Sequence, residues 1–210
     1  MTKLFNIDAD TFSKRLVSRR FNEDFQVSDL FMNHLESLTT DVSSFNEKDF
    51  ESYELEEIFT YLRASHDFYL GVWIPKLENT LLQMQMKLQN DYWSVRLLIM
   101  FVESYKKELT EHILEEERVL FAFVDKLIAG EGTKEEADFV VNDFLGSHND
   151  NIVIQLENLK KDLVTFDERL NGNMIVDILF NQLSVFQKDL IVHGLIEDHV
   201  FTKKVLERIS

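Results

Sequence analysis

The sequence predicts an all-α protein: an antiparallel up-down four-helix bundle preceded by a short N-terminal helical appendage. Three observations predict this fold. The 210 residues include only 6 Gly and 1 Pro, and tight turns between strands depend on such residues. Eighteen Phe supply large apolar side chains for one core. Long segments without strand-like alternation are joined by short turn-forming stretches, as in an up-down bundle.

We expect the appendage to cover residues 1–45 and the bundle to cover residues 46–210. The sequence of the appendage predicts two short helices, one ending near Arg20 and one from about Val27 to Leu38. A run rich in turn and cap formers, TTDVSSF, follows them.

The bundle helices are predicted from their start and stop signals. Asn46 is the expected cap of the first helix, with Phe45 and Phe50 as a hydrophobic staple. Proline lacks an amide N–H, so Pro75 is expected to kink or break this helix. The remaining helices are expected from about Asp91 to Lys126, from a capping box at Thr133 and Glu136 to about Asp167, and from Met174 to near the C-terminus.

Composition excludes several classes of function. The formal net charge of −16 disfavours binding to nucleic acid or to an anionic membrane surface. The chain has no cysteine, so disulfides, zinc–thiolate sites and iron–sulfur ligation are excluded. No apolar run is long enough to span a bilayer or to act as a signal peptide. These features predict a cytoplasmic protein with no membrane partner.

An internal repeat carries the chemistry. KELTEHILEEERVL from Lys107 and KDLIVHGLIEDHVF from Lys188 share a His-x-x-x-Glu motif. The two histidines, His112 and His193, are 81 residues apart, while Ser-His recurs at His66 and His148, 82 residues apart. The sequence therefore predicts two copies of one helical hairpin, each with a His on its first helix and a His-x-x-x-Glu on its second.

Such an arrangement suits a pair of metal ions. Residues i and i+4 lie on one helix face, so each motif presents an imidazole and a carboxylate to the same point in the bundle core. Four imidazoles and two bridging carboxylates exceed what one zinc requires and favour iron or manganese. The predicted metal ligands are His66, His112, Glu116, His148, His193 and Glu197.

Neighbouring polar residues have weaker claims. Glu115, Glu117 and Asp198 are expected to face solvent, because each lies about 100° away from a proposed bridge. Glu108 and Asp189 lie one turn before a ligand His, where they are either hydrogen-bond partners of its ring or part of a solvated face. His34 and His199 are not expected to be ligands. Core packing is the expected role of the tyrosines, and Tyr69 is the best candidate among them for a polar neighbour of the metals.

HILEEERVLF and DLIVHGLIEDHVF resemble the second- and fourth-helix signatures of hemerythrin-like (HHE cation-binding) domains. His66-Asp67 followed by Ile74-Pro75 resembles the first-helix signature, with the pattern closest to the iron–sulfur repair and nitric-oxide-response members. The resemblance covers about residues 50–208 and implies the six ligands named above, with Glu116 and Glu197 bridging. A further His that many members carry has no counterpart in LLQMQMKL.

The resemblance implies two iron ions, oxo-bridged in one form, with manganese and zinc as less favoured metals. It also implies a small gas or peroxide as ligand, and a role in sensing, oxygen binding, or iron-centre repair and iron supply. A metal-free helical interaction module and a di-metal oxidase or peroxidase stay open as alternatives, so enzyme status is undecided. A homodimer or a redox or signalling partner protein is also consistent with the sequence.

Overall fold

The computed structural model describes residues 26–88, 93–140 and 172–209, and these residues are helical with no strand among them. The all-α class is confirmed for this part of the chain, and the up-down four-helix arrangement stays a prediction. None of the helices in these ranges is long and apolar enough to cross a bilayer. The α-helices are α1 (Asp29–Thr40), α2 (Leu55–Phe68), α3 (Ile74–Leu88), α4 (Trp93–Glu116), α5 (Ala122–Ala129), α6 (Lys134–Phe139), α7 (Met174–Ile196) and α8 (Thr202–Ile209).

Three five-residue π-helical turns join consecutive helices in the described ranges. Tyr69–Trp73 lies between α2 and α3, Glu117–Phe121 between α4 and α5, and Glu197–Phe201 between α7 and α8. The chain therefore stays helical through each junction. A π-turn inserts an extra residue into the helical repeat and is often found at functional sites.

The first π-turn explains how the helix passes Pro75. This proline is the second residue of α3, directly after the π-turn. Proline has no N–H to bond the carbonyl four residues earlier, and the wider turn changes the hydrogen-bonding register just before it. The predicted interruption at Pro75 is thus a change of helical register within a helix that continues.

The local start and stop signals predicted farther along the chain are confirmed. The Thr133 hydroxyl accepts a hydrogen bond from the Glu136 amide, and the Glu136 carboxylate accepts one from the Thr133 amide, which forms the capping box of α6. Gly130 ends α5 with a φ of 74°, a left-handed conformation that glycine adopts without strain. The Asn173 side chain accepts from the Ile175 amide at 3.1 Å, at the start of α7.

The predicted start of the first bundle helix at Asn46 is wrong. Asn46 caps the short 3₁₀ turn Glu47–Phe50, and α2 begins only at Leu55. The side-chain oxygen Oδ1 of Asn46 accepts from the Lys48 amide at 3.3 Å, an Asx-turn hydrogen bond that here begins a short 3₁₀ turn instead of a long helix. The staple contact itself is present, since the rings of Phe45 and Phe50 stack with centroids 5.9 Å apart.

The described residues belong to two compact units. The first contains residues 26–68 and 188–208, and Phe31 of α1 lies in its core. The Phe31 ring meets the rings of Phe50, Tyr53 and Tyr61 edge-on, with centroids 5.9, 4.8 and 5.6 Å apart. This part of the predicted appendage is therefore packed into the first unit. Residues 1–25 lie outside the described ranges, so the division at residue 45 stays a prediction.

The second unit contains the described residues of 69–187 together with residue 209. Phe186 of α7 lies at its centre, with its ring 5.5 Å from Tyr69, 5.3 Å from Trp73 and 6.2 Å from Tyr105. An ion pair between Lys106 of α4 and Glu78 of α3 lies at the surface of the same unit. Aromatic packing thus connects the π-turn at Tyr69–Trp73 to α4 and α7.

Replacing Phe31 by Ala should destabilise the protein by about 3–5 kcal/mol, the usual cost of removing a buried aromatic ring. The adjacent Leu30 is a matched control because it is 56 % exposed, whereas Phe31 is 0 % exposed. Leu30→Ala should change the free energy of unfolding by no more than about 0.5 kcal/mol. Urea denaturation followed by circular dichroism measures both, and equal effects would contradict the packing of α1.

Candidate metal centre

Four of the six predicted ligands are buried. Transferring a carboxylate or an imidazole out of water is costly unless a partner compensates for the lost hydration, so four such groups in the interior call for a common explanation. His112 is half-buried, and His148 lies outside the described residues. The buried side chains are His66 (2 % exposed), Glu116 (0 %), His193 (6 %) and Glu197 (3 %).

The first unit brings three of these groups together. His66 lies near the end of α2, His193 lies in the last turn of α7, and Glu197 begins the π-turn that follows α7. The two imidazole rings have centroids 5.1 Å apart and an interplanar angle of 45°. Their ligand nitrogens lie within 4.8 Å of each other, and Nε2 of His193 lies 3.5 Å from Oε2 of Glu197.

These side chains occupy positions on the apolar helix face where aliphatic residues would be expected. Along α7 and its π-turn, the buried positions Leu190, His193, Glu197 and Val200 follow one another at spacings of three and four residues, which is the period of a helix face. Packing of the aliphatic members against the core therefore holds the His193 and Glu197 side chains inside the unit.

The second unit holds the other described pair. His112 Nε2 lies 3.1 Å from Oε1 of Glu116 on α4. Glu116 follows the buried Ile113 and precedes the buried Leu120 at helical spacing, so it takes a core position in an otherwise apolar stripe. A carboxylate at such a position is the opposite of what packing alone would select.

The sequence repeat is accompanied by a repeated local structure. The π-turn Glu117–Phe121 begins one residue after Glu116, and the π-turn Glu197–Phe201 begins at Glu197 itself. The His–Glu distances of the two motifs, 3.1 and 3.5 Å, are also similar. Each copy of the motif therefore combines a buried carboxylate, a histidine one turn before it, and a register change directly at the carboxylate.

The acidic neighbours of the two motifs differ from each other. Glu115 and Asp198 are exposed as predicted, while Glu117 is half-buried. Asp189, one turn before His193, is buried, whereas its repeat counterpart Glu108 is exposed and accepts a hydrogen bond from Ser104 at 3.3 Å. The His193 motif therefore has an additional buried acidic side chain on its own helix, and the His112 motif does not.

The two remaining described histidines have other contacts. His199 is exposed and its ring lies 5.9 Å from that of Phe45. His34 Nδ1 lies 2.9 Å from the Tyr53 hydroxyl. Both observations agree with their exclusion from the predicted ligand set.

Tyr61 is a neighbour of the site that sequence reasoning missed. It is fully buried, and its ring centroid lies 6.2 Å from that of His193. No sequence signal marks it, because it precedes His66 by five residues and so lies on a different face of α2. Tyr69, for which core packing was the expected role, is buried with its ring edge-on to Phe186 in the second unit.

The donor set of the first unit fits iron. Two imidazole nitrogens and one carboxylate oxygen form the ligand combination that non-haem ferrous sites use. Two ligand atoms on one ion are at most about 4.2 Å apart, twice a metal–nitrogen bond of about 2.1 Å. The ligand nitrogens of His66 and His193 lie within 4.8 Å of each other, so they require little closure to share an ion. The described residues thus contain a His/Glu cluster capable of holding a metal ion.

Comparisons with family models, with curated proteins and with solved structures find no match to this chain. The resemblance to hemerythrin-like domains therefore stays a prediction, and the function must be argued from the site itself.

An ion pair at the surface of the first unit is expected to respond to pH. Lys203 of α8 donates a hydrogen bond to Glu47 at 2.6 Å, and this hydrogen bond and its charge lower the pKa of the Glu47 carboxyl and raise that of the Lys203 ammonium. Because the Glu47 pKa is lowered on folding, its stabilising contribution is present above the unfolded value and is lost as pH falls through the folded value.

We therefore expect Glu47→Gln to lower the melting temperature slightly at pH 7 and by less at pH 3, because protonation of the wild-type carboxyl removes the ion pair as the pH falls. The effect should shrink in high salt, because both groups are exposed. Thermal unfolding of both proteins at the two pH values checks this. A difference that persists unchanged at pH 3 would show that the ion pair is not its cause.

Proposed function

We propose that this chain is a non-haem di-iron protein that binds or reacts with O2, nitric oxide or peroxide. One half-site consists of His66, His193 and Glu197. The observation that carries the proposal is the burial of these three donors together in the first unit, in the combination that suits ferrous iron.

The second half-site consists of His112 and Glu116, with His148 as the further ligand implied by the sequence repeat. The recurrence of the His–Glu pair and of the π-turn supports its assignment as an equivalent of the first. From the sequence repeat we infer two half-sites, one on each predicted hairpin, and the resemblance to hemerythrin-like domains implies a pair of ions with Glu116 and Glu197 as bridges.

The net charge of the proposed site favours the binding of a small, electron-rich molecule. Two ferrous ions carry four positive charges, and two glutamates offset two of them, so the assembled site keeps a net positive charge. When bound, iron supplies open coordination positions and changes of oxidation state. The chain supplies neutral imidazoles and buried carboxylates, and the burial of the first-unit donors limits reactants to small molecules.

Iron content tests the ligand assignment. The wild-type chain, reconstituted with ferrous iron without oxygen, should bind two ions, and His193→Ala or Glu197→Ala should reduce this to one or fewer. The exposed neighbours Asp198 and His199 are matched controls, so Asp198→Ala and His199→Ala should keep two. Elemental analysis after gel filtration gives the count, and manganese and zinc loaded in parallel establish the metal preference.

Fewer than about one iron per wild-type chain would contradict the metal assignment. If, in addition, His112→Ala and His193→Ala leave the melting temperature unchanged, a metal-free interaction module would be the better description.

Ligand binding tests the function. The reduced, iron-loaded protein should change its visible absorption on addition of nitric oxide or O2, and Glu116→Ala should lose the change, because the variant lacks one bridging carboxylate. Titration in a sealed cuvette gives the stoichiometry. Glu115→Ala, which removes an exposed carboxylate from the same turn, is the control. Catalytic turnover of peroxide lost with Glu116→Ala would favour the oxidase or peroxidase alternative over reversible binding.

A further inference from the structure

A continuous series of aromatic rings leads from His193 to α1 within the first unit. The His193 ring centroid lies 6.2 Å from that of Tyr61, which lies 5.6 Å from that of Phe31, which lies 4.8 Å from that of Tyr53. The three aromatic side chains along it are buried. Such close ring contacts stabilise the core, and they also give a short path for an electron.

The far end of this series carries a proton acceptor. The Tyr53 hydroxyl lies 2.9 Å from Nδ1 of His34, and in the tautomer protonated at Nε2 the phenol donates to Nδ1. His34 is partly exposed, whereas Tyr53 is buried. A phenol that loses an electron becomes a strong acid, so an imidazole within hydrogen-bond distance determines whether its proton can leave.

Acidic neighbours keep Tyr53 in its protonated form. Burial raises the pKa of Tyr53, and the carboxylates of Glu57 and Asp49 raise it further. Their negative charge opposes formation of a phenolate, so Tyr53 is kept as a neutral phenol.

We propose that Tyr53 and His34 form a redox-active pair that delivers electrons through Phe31 and Tyr61 to the metal centre at His193. This role rests on the proposed function for its acceptor. Tyr53 loses one electron to the oxidised centre and its phenol proton to His34, which leaves a neutral tyrosyl radical. With hydrogen peroxide as oxidant, two chains and one peroxide give two tyrosyl radicals and two water molecules. An external reductant then restores the phenol.

Electron paramagnetic resonance tests the pair in the full-length, iron-loaded protein. Peroxide followed by rapid freezing should give a tyrosyl radical signal in the wild type, which Tyr53→Phe abolishes while the ring packing is kept. Tyr105→Phe, which removes a buried hydroxyl in the second unit, should leave the signal intact. In His34→Phe the rate of radical formation should fall on the order of 100-fold, because a positioned proton acceptor contributes at least this much. Any residual radical should show the high-field g-value of a phenoxyl without a hydrogen bond.

A signal that survives Tyr53→Phe at full intensity would overturn the assignment, even with two irons bound. The metal-free protein provides a separate test, in which a photogenerated one-electron oxidant in solution replaces peroxide. A radical at Tyr53 in that experiment, together with a chain that binds no iron, would support the Tyr53–His34 pair while removing the metal centre as its acceptor. No radical at Tyr53 under either oxidant would overturn the proposal, whatever the iron content.

Discussion

The proposed site depends on one physical constraint, which is that imidazoles and carboxylates are buried at helix positions where packing would normally place aliphatic side chains. Glu116 and Glu197 stand in the apolar faces of their helices and are almost completely excluded from solvent. Each helix must therefore bury enough apolar surface around the carboxylate to offset its dehydration. The heavy use of phenylalanine, with 18 residues in the chain, supplies that surface.

The π-turns are consistent with this constraint. Two of them begin at or directly after the buried glutamates, and the third follows His66 by three residues. A regular α-helix presents its next core position at a fixed rotation, whereas an extra residue alters that rotation. A polar side chain and the aliphatic side chains that follow it can then be accommodated on the same buried face. These irregular turns thus coincide with residues that carry the proposed chemistry.

Whether a prediction from sequence succeeded depended on how far apart in the sequence the interacting residues lie. The Thr133–Glu136 capping box and the His–Glu pairs join residues three or four positions apart, so spacing alone identified them. The Asn46 cap failed because the same side chain also forms an Asx-turn, and only the subsequent packing decides between the two. The contact between Tyr61 and His193 joins residues 132 positions apart in sequence, and no local pattern encodes it.

Differences between the two motifs bear on how a duplicated site would work. The His112 side chain is 21 % exposed against 7 % for His193, and Asp189 is buried where its counterpart Glu108 is exposed. An ion at the His112 half-site would have readier access to solvent and to an incoming ligand. An ion at the His193 half-site would be drier and would have an additional acidic side chain nearby, which favours a higher oxidation state. The series of aromatic rings ends at His193, so electrons would enter at the half-site whose ion is better suited to change its oxidation state. Small ligands would enter at the His112 half-site.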